Sequence, residues 1–417
     1  MMTSVERDVG ASVQSVFDRY RHRVQHFQPS QNHQLTGSER IFDQLIFDHI
    51  DDVTVADLLE HRSRYTGWNS EGFGNASGSC RLIFTADCRW VAVNLARPSD
   101  GEILGAVLGV EIPDVVDLHR DVRLTRDDRR ADRWSSIESA ISQWTTDDLM
   151  AATADLGLPL SCVGESQWSG PLDALPVHQH LIAKIGQVVM DAKQSFQTLT
   201  GGESTGVDSL MRRRVVDLSS LWAGPLCSRL LIPAGCSVTT VESSTRPDST
   251  RDLHPHFYAD LHDRKEHVVL DLSIESGRQQ LRDLLFASDV VITGSRRRAF
   301  DHLGIDVDEI LSNSLVSVWV SITGYGYRGS QTMRVGFGDD CAAAGGLLTW
   351  HSVGNRRQPT FAGDALADPI TGLVAATAVL DYLSMAKNSH TQGCHLDVRL
   401  AEVANWVSRG GRVAINP

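Results

Sequence analysis

From Arg212 onward the sequence alternates short apolar runs with helical stretches, and this alternation most restricts the fold. Val215-Val-Asp-Leu-Ser reads as a strand, followed by the turn Trp222-Ala-Gly-Pro225 and a short helix over 226–234. Residues 237–242 read as a second strand, 266–272 as an extended segment, 277–286 as a helix and 289–293 as a strand. Helical turns over 300–303 and 307–312 precede a further strand at 315–323. Strands joined through helices need right-handed crossovers, so the expected class is α/β. A Rossmann-like parallel sheet then carries helices on both faces.

The first half reads differently. Residues 1–35 are polar and rich in His and Gln, and suggest a short helix within a loose leader. Ile41, Leu45, Ile46 and Ile50, then Val55, Leu58 and Leu59, repeat at helical spacing. A Gly/Ser/Asn loop at 66–79 leads to two short strands, 81–85 and 90–95, joined by Ala86-Asp87-Cys88-Arg89 as in a hairpin. Residues 101–157 return to helix. The expected division is a leader over 1–35 and a small α+β domain over 36–165. A linker with a bridging helix (181–196) over 166–210 then leads to the Rossmann-like domain over 211–417. Pro171, Pro176 and the Thr198-Leu-Thr-Gly-Gly-Glu-Ser-Thr-Gly run support the break. No internal repeat or low-complexity tract stands out.

Composition narrows the partners. The chain has 417 residues with 41% hydrophobic and 22% charged content, ordinary for a globular protein with a sizeable core. A formal net charge of −13 argues against a nucleic-acid partner, which needs a basic surface. No apolar run approaches the roughly 18 residues that span a bilayer, and no export signal opens the chain. Seven widely spaced cysteines without a C-x-x-C pair read as reduced thiols in a cytoplasmic protein, with no metal site.

One stretch stands out for chemistry: Phe361-Ala-Gly-Asp-Ala-Leu-Ala-Asp368-Pro369-Ile-Thr-Gly372. Asp followed by Pro is a helix-start signal, and the apolar run from Leu373 to Leu383 reads as a buried helix. A carboxylate at such a start is either a cap or an oriented nucleophile. The known phosphate-binding signatures are missing. The turn after the first strand has no G-x-G-x-x-G; the glycines in Ile322-Thr-Gly324-Tyr-Gly326-Tyr-Arg-Gly329 have that spacing but open no clear helix. P-loop, H-E-x-x-H and G-x-S-x-G motifs do not occur.

A series of short motifs, in order, resembles the large domain of the family III CoA-transferases over residues 212–417. That family includes formyl-CoA and carnitine CoA-transferases and the α-methylacyl-CoA racemases. The motifs are Val216-Asp-Leu-Ser with Ala223-Gly-Pro225; Gly235-Cys-Ser-Val-Thr-Thr-Val-Glu242; Asp248-Ser-Thr-Arg251; and Lys265 with Leu270-Asp-Leu272. Ser288-Asp-Val-Val, Arg296, Leu303-Gly304, Ser321-Ile-Thr-Gly-Tyr-Gly326, Gly336-Phe-Gly and Ala344-Gly-Gly-Leu347 follow. Asp368-Pro-Ile-Thr-Gly372 falls where the family carries its catalytic aspartate. The hairpin at 81–95 and the run from Asp147 to Pro159 resemble the family's small domain, here placed before the large one. Such an order implies a permuted chain or one half of an ancestral tandem.

The resemblance implies transfer of CoA between carboxylic acids, with Asp368 as covalent nucleophile and coenzyme A as substrate and product thioester. It implies CoA contacts at Leu221, Trp222, Ala223, Arg251, Lys265, Leu270 and Arg296, with Arg297 and Arg298 as further cations for the phosphates. Backbone N–H groups near Gly72 and Gly74, or at Gly345-Gly346, would face developing oxyanions. Acyl-CoA and carboxylic acid are the implied partners, and a homodimer, or a heterodimer with a homologue, the implied assembly. Three departures stand out. Ser243 and Ser244 replace a basic residue, Gly294-Ser295 replaces Asn-Phe, and the loop Gly336-Phe337-Gly338-Asp339-Asp340-Cys341-Ala342 departs from the Asp and Gln pattern often found there. Glu242 and Asp339 accordingly read as structural or solvated. A racemase needs a second acid/base flanking the α-carbon; Phe337 stands where that branch has His, and His351 lies in no matching motif. The alternatives are an acyl-CoA racemase or isomerase, placed below the transferase, and a non-catalytic CoA-binding subunit paired with an active homologue.

Overall fold

The computed structural model describes residues 4–26, 54–67, 72–112, 126–185, 213–354, 356–385 and 392–414. Strands β1 (Cys80–Phe84), β2 (Trp90–Asn94) and β3 (Leu160–Cys162) form a small antiparallel sheet. A seven-stranded sheet contains β4 (His178–Ala183), β5 (Arg214–Asp217), β6 (Ser237–Ser243), β7 (Glu266–Leu270), β8 (Val290–Thr293) and β9 (Val318–Thr323). After the hairpin β10 (Leu348–Val353) and β11 (Arg356–Phe361), β12 (Gln392–Arg399) completes it.

The large sheet runs in the order β4-β12-β9-β8-β5-β6-β7. Every pair is parallel except β4 with β12. The expected α/β class is therefore observed. Burial explains the order: β8 and β9 are buried at every position and take the centre. On the edge strand β4 half-buried and exposed residues alternate, and β7 is mostly open. The chain runs outward from β5 through β6 and β7, then returns to β8, β9 and β12 on the other side. The β5/β8 boundary is thus the switch point, where a crevice opens beyond the carboxyl ends of the strands.

The helix Ala367–Met385 forms the centre of the core. It is apolar on all sides, as a fully enclosed helix must be, and fifteen consecutive residues from Pro369 to Leu383 are buried. Gly372 lets it approach the turn after β5: a Cβ there would lie 2.7 Å from the Ala223 carbonyl oxygen. Against it lies the helix Ser4–His26, through Val9, Val13, Val16, Phe17, Tyr20 and Val24. Arg19 and Arg23 fasten the two helices by pairing with Asp381 at 2.8 and 2.6 Å. The reading of this stretch as a short helix in a loose leader is corrected here: its apolar residues recur three and four apart and form a core face. The short helix Val55–Leu59 joins the same core through Val55 and Leu58; of the helical stretch expected over 38–65, positions before 54 lie outside the described residues.

The bridging helix expected over 181–196 is also corrected. Residues 181–183 belong to β4, paired with β12, and the remainder from 186 lies outside the described residues. The small sheet forms its own core with the helices Pro98–Leu108, Arg126–Ile141 and Thr146–Thr153, around Val91, Leu104, Trp134, Ile137 and Leu149. Its other face joins the large unit. Cys80, Leu82 and Ala92 meet Ala343, Leu348 and Phe361. The Gly164 and Ser166 N–H groups donate to the carbonyls of Ala343 and Ala344, each at 2.9 Å. Among the described residues no helix is long and apolar enough to cross a membrane.

Candidate active site

The turn after β5 is fixed from below by a buried ion pair. Asp217, at the end of β5, accepts from the Ser219 N–H at 2.9 Å and from the Ser219 and Ser228 hydroxyls. Lys265 donates to Asp217 at 3.3 Å and to the Pro225 carbonyl at 2.8 Å. Both side chains are fully enclosed. Burial pulls the Lys265 pKa down while Asp217 opposes it. Lys265 thus braces the turn from inside and presents no surface to a phosphate.

The turn exposes one of its three expected contact residues. Leu221 adopts φ +71°, donates its N–H to Asp248 at 2.9 Å and is 38% exposed. Trp222 and Ala223 are buried, Trp222 edge-on against Phe257 with ring centroids 5.2 Å apart. Leu270 is buried at the end of β7. Arg251 pairs with Glu242 at 2.5 Å and lies 4.5 Å over the Tyr258 ring. Glu242, read as structural or solvated, is the ion-pair partner of Arg251. Arg296 follows β8, across the switch point, and donates to the Met333 carbonyl at 2.7 Å. Burial lowers its pKa, and the neighbouring Arg97, Arg298 and Arg246 add to the fall. Arg296 thus has three other guanidinium groups as electrostatic neighbours.

Asp368 lies on the enclosed helix Ala367–Met385. The helix begins at Ala367, so Asp368 sits inside its first turn and is not the N-cap. Its own N–H donates to the Ala365 carbonyl at 2.9 Å. Its carboxylate accepts no hydrogen bond from any described residue, and the residue as a whole is half-buried. It stands about one helical turn from the Gly372 contact with Ala223. Burial pushes its pKa up to about 7; Arg62 opposes this, and Asp339, Asp340 and Asp364 add to it.

Those three acids complete a buried cluster. Asp339 accepts from the Asn75 side-chain amide at 2.6 Å and from the Ala365 N–H at 3.1 Å. Asp340 accepts from the Asn94 side-chain amide at 2.8 Å and from the Phe337 N–H at 3.0 Å. Burial raises Asp339 to about 6 and Asp340 to about 7. Asp364 takes a bidentate bond from Arg62, with Nε at 2.7 Å. The Arg62 guanidinium also lies 5.0 Å over the Trp222 ring. Asp339, read as structural or solvated, is structural and enclosed. His351 is on the β10–β11 hairpin, bonded to Thr360 at 2.9 Å, apart from this cluster. Among the described residues no group of His, Cys, Asp and Glu has the geometry to hold a metal.

Arg62, Asn75, Asn94, Asp340 and Asp364 were not singled out from the sequence. The Asp339-Asp340 pair at a helix start was a usable signal, since two adjacent acids among apolar residues need buried donors. Nothing local marks Arg62, which lies 302 residues from Asp364 in the chain.

Residues 210–411 match the profile of CoA-transferase family III. An acyl-CoA transferase of Fusarium pseudograminearum is 28% identical over 215 residues, covering 48% of this chain and 46% of that protein. A succinate–glutarate CoA-transferase of Agrobacterium fabrum is 28% identical over 207 residues, covering 46% and 51%. The chain thus spans about half the length of these relatives. A solved CAIB/BAIF family protein from Brucella suis is 27% identical over 46% of this chain and 53% of its own, with a TM-score of 0.41.

Proposed function

Because residues 210–411 belong to CoA-transferase family III, we propose that this protein moves CoA between carboxylic acids through a covalent intermediate on Asp368. The observation that carries this reading is the Asp368 carboxylate itself. It accepts no hydrogen bond from a described residue, belongs to a residue that is only half-buried, and lies one helical turn before Gly372, which packs on the turn after β5. A cap or a structural ion pair would have its oxygens engaged.

In the first step an Asp368 oxygen attacks the donor thioester carbonyl. The C–S bond breaks, CoA leaves as thiolate, and a mixed anhydride remains. The thiolate then attacks the Asp368 carboxyl carbon and expels the donor acid, giving an aspartyl-CoA thioester. The acceptor carboxylate attacks that carbon and displaces the thiolate again. Finally the thiolate takes the acceptor acyl group and frees Asp368. Each step exchanges one activated acyl bond for another, so that one difficult exchange is split into easier ones. The nucleotide phosphates would lie near Arg296, with Arg246, Arg298 and Arg97 supplying further charge, and exposed Leu221 would give the adenosine an apolar contact.

The test is chemical capture. The protein is incubated with an acyl-CoA and quenched with hydroxylamine, and its peptides are mapped by mass spectrometry. A hydroxamate at Asp368 is the expected result. Deuterium wash-in at the acyl α-carbon without an adduct would instead identify a racemase.

A further inference from the structure

The acid cluster is completed from outside the family-matching stretch. Its cation, Arg62, comes from the short helix His61–Thr66, far upstream of residues 210–411. Resting on the reading of Asp368 as nucleophile, we propose that Arg62 is a positioning residue that sets the charge state of Asp368 through its clamp on Asp364.

The geometry supports this in three ways. Arg62 grips Asp364 with two nitrogens, and Asp364 lies four residues before Asp368 on the segment that leads into the helix. The guanidinium is held flat by the Trp222 indole at 5.0 Å, which ties it to the turn after β5. The same guanidinium faces Asp339 and Asp368 as well as Asp364. One cation thus serves three carboxylates, while Asp340 relies on Asn94 and a backbone N–H. A fully charged cluster would be strongly self-repelling in so enclosed a place. The side that keeps Asp368 ionisable is therefore the side where Arg62 stands.

Other charged groups on neighbouring elements are engaged elsewhere. On the helix Val55–Leu59, Asp57 pairs with Arg64. On Ala223–Leu231, Arg229 pairs with Asp260 at 2.9 Å. On the Ser4–His26 helix, Arg19 and Arg23 hold Asp381. On Leu400–Ser408, Glu402 holds Arg399 and His178. Cys341 lies on the Gly338–Ala344 helix with its thiol pushed far up by burial and by Asp340 and Asp368. Burial lowers the pKa of His254, near the clamp; Arg62 adds to the fall and Asp364 opposes it.

The experiment titrates Asp368 directly, by infrared difference spectroscopy of the full chain against Asp368→Asn, so it does not depend on turnover. In the unaltered protein the expected midpoint is about 7. Arg62→Gln should raise it by about one to three pH units, the range expected for loss of an adjacent opposite charge, and Arg62→Lys should fall between. Asp364→Asn, which removes a repelling charge and frees Arg62, should lower it. These opposite shifts exclude a merely structural role and provide a second variant if Arg62→Gln folds poorly. A midpoint unmoved by Arg62→Gln, or raised by Asp364→Asn, overturns the proposal. If the shifts appear and hydroxylamine captures nothing at Asp368, the positioning role stands and the transferase reading falls.

Discussion

The Asp368 carboxylate rests against the backbone of Gly338: a Cβ at that glycine would come within 2.2 Å of Oδ2. Ala365 crowds the same position, with its Cβ and carbonyl oxygen both at 2.8 Å. Any side chain at 338 must displace the carboxylate. Gly338→Ala should therefore cut the rate of adduct formation by about a hundredfold, the cost of shifting a reacting group by about 1 Å. Circular dichroism should show the fold retained. A rate within twofold of the unaltered protein would separate Asp368 from the chemistry.

A nucleophilic carboxylate must be ionised. With the Asp368 pKa pushed up to about 7, its reactive fraction rises as pH rises through neutrality. Adduct formation should increase about tenfold per pH unit below that midpoint and level off above it. Single-turnover capture across pH 5 to 9, roughly, would show this limb. A profile already flat at the acid end would contradict the burial described here.

The same elevation bears on stability. Asp340 is raised in the folded protein to about 7, so its contribution to stability is fully present below the unfolded value and is lost as pH rises through 7. Asn at 340 keeps an oxygen for the Asn94 and Phe337 donors without the buried charge. Asp340→Asn should raise the melting temperature at pH values of about 8 and much less at about 5, as thermal unfolding at the two pH values would reveal. Equal shifts at both would assign the effect to packing.

Asn94→Ala acts in the opposite direction. It removes the amide bonded to Asp340 at 2.8 Å and leaves a buried acceptor short of a donor. The expected cost is about 1–3 kcal/mol in denaturant unfolding. The double variant with Asp340→Asn should recover part of it, so a double-mutant cycle that adds without coupling would refute the pairing.

Lys265→Ala strands Asp217 beneath the turn after β5. Breaking one side of a fully enclosed pair costs about 3–5 kcal/mol. The Ser219 and Ser228 bonds to Asp217 moderate this, so the lower end is expected in denaturant titration. A change below about 0.5 kcal/mol would place Lys265 among ordinary surface lysines.

The second half was readable because its periodicity is strong. The apolar runs at β5, β8 and β9 and the enclosed helix after Asp368 carry their burial in their composition. Two kinds of feature were not readable. Short elements whose partners lie far away, such as β4 on β12, have weak local patterns and take their form from pairing. The residues around Asp368 are joined only by the fold: Asn75 meets Asp339 across 264 positions, and Asn94 meets Asp340 across 246. No spacing rule links residues so distant. Lys265 shows the converse. A basic residue in a matching motif reads as a ligand for phosphate, yet here its depth makes it a brace.

Being recognisable and being self-sufficient are different properties in this chain. Trimmed to the matching residues 210–411, the polypeptide would lose β4 and bare the flank of β12. It would also strip the Ser4–His26 cover from the inner helix. Asp339, Asp340 and Asp364 would lose Asn75, Asn94 and Arg62 together. The half outside the matching residues is thus the mould in which the other half is set, and a shortened expression product would need that mould supplied as a separate fragment.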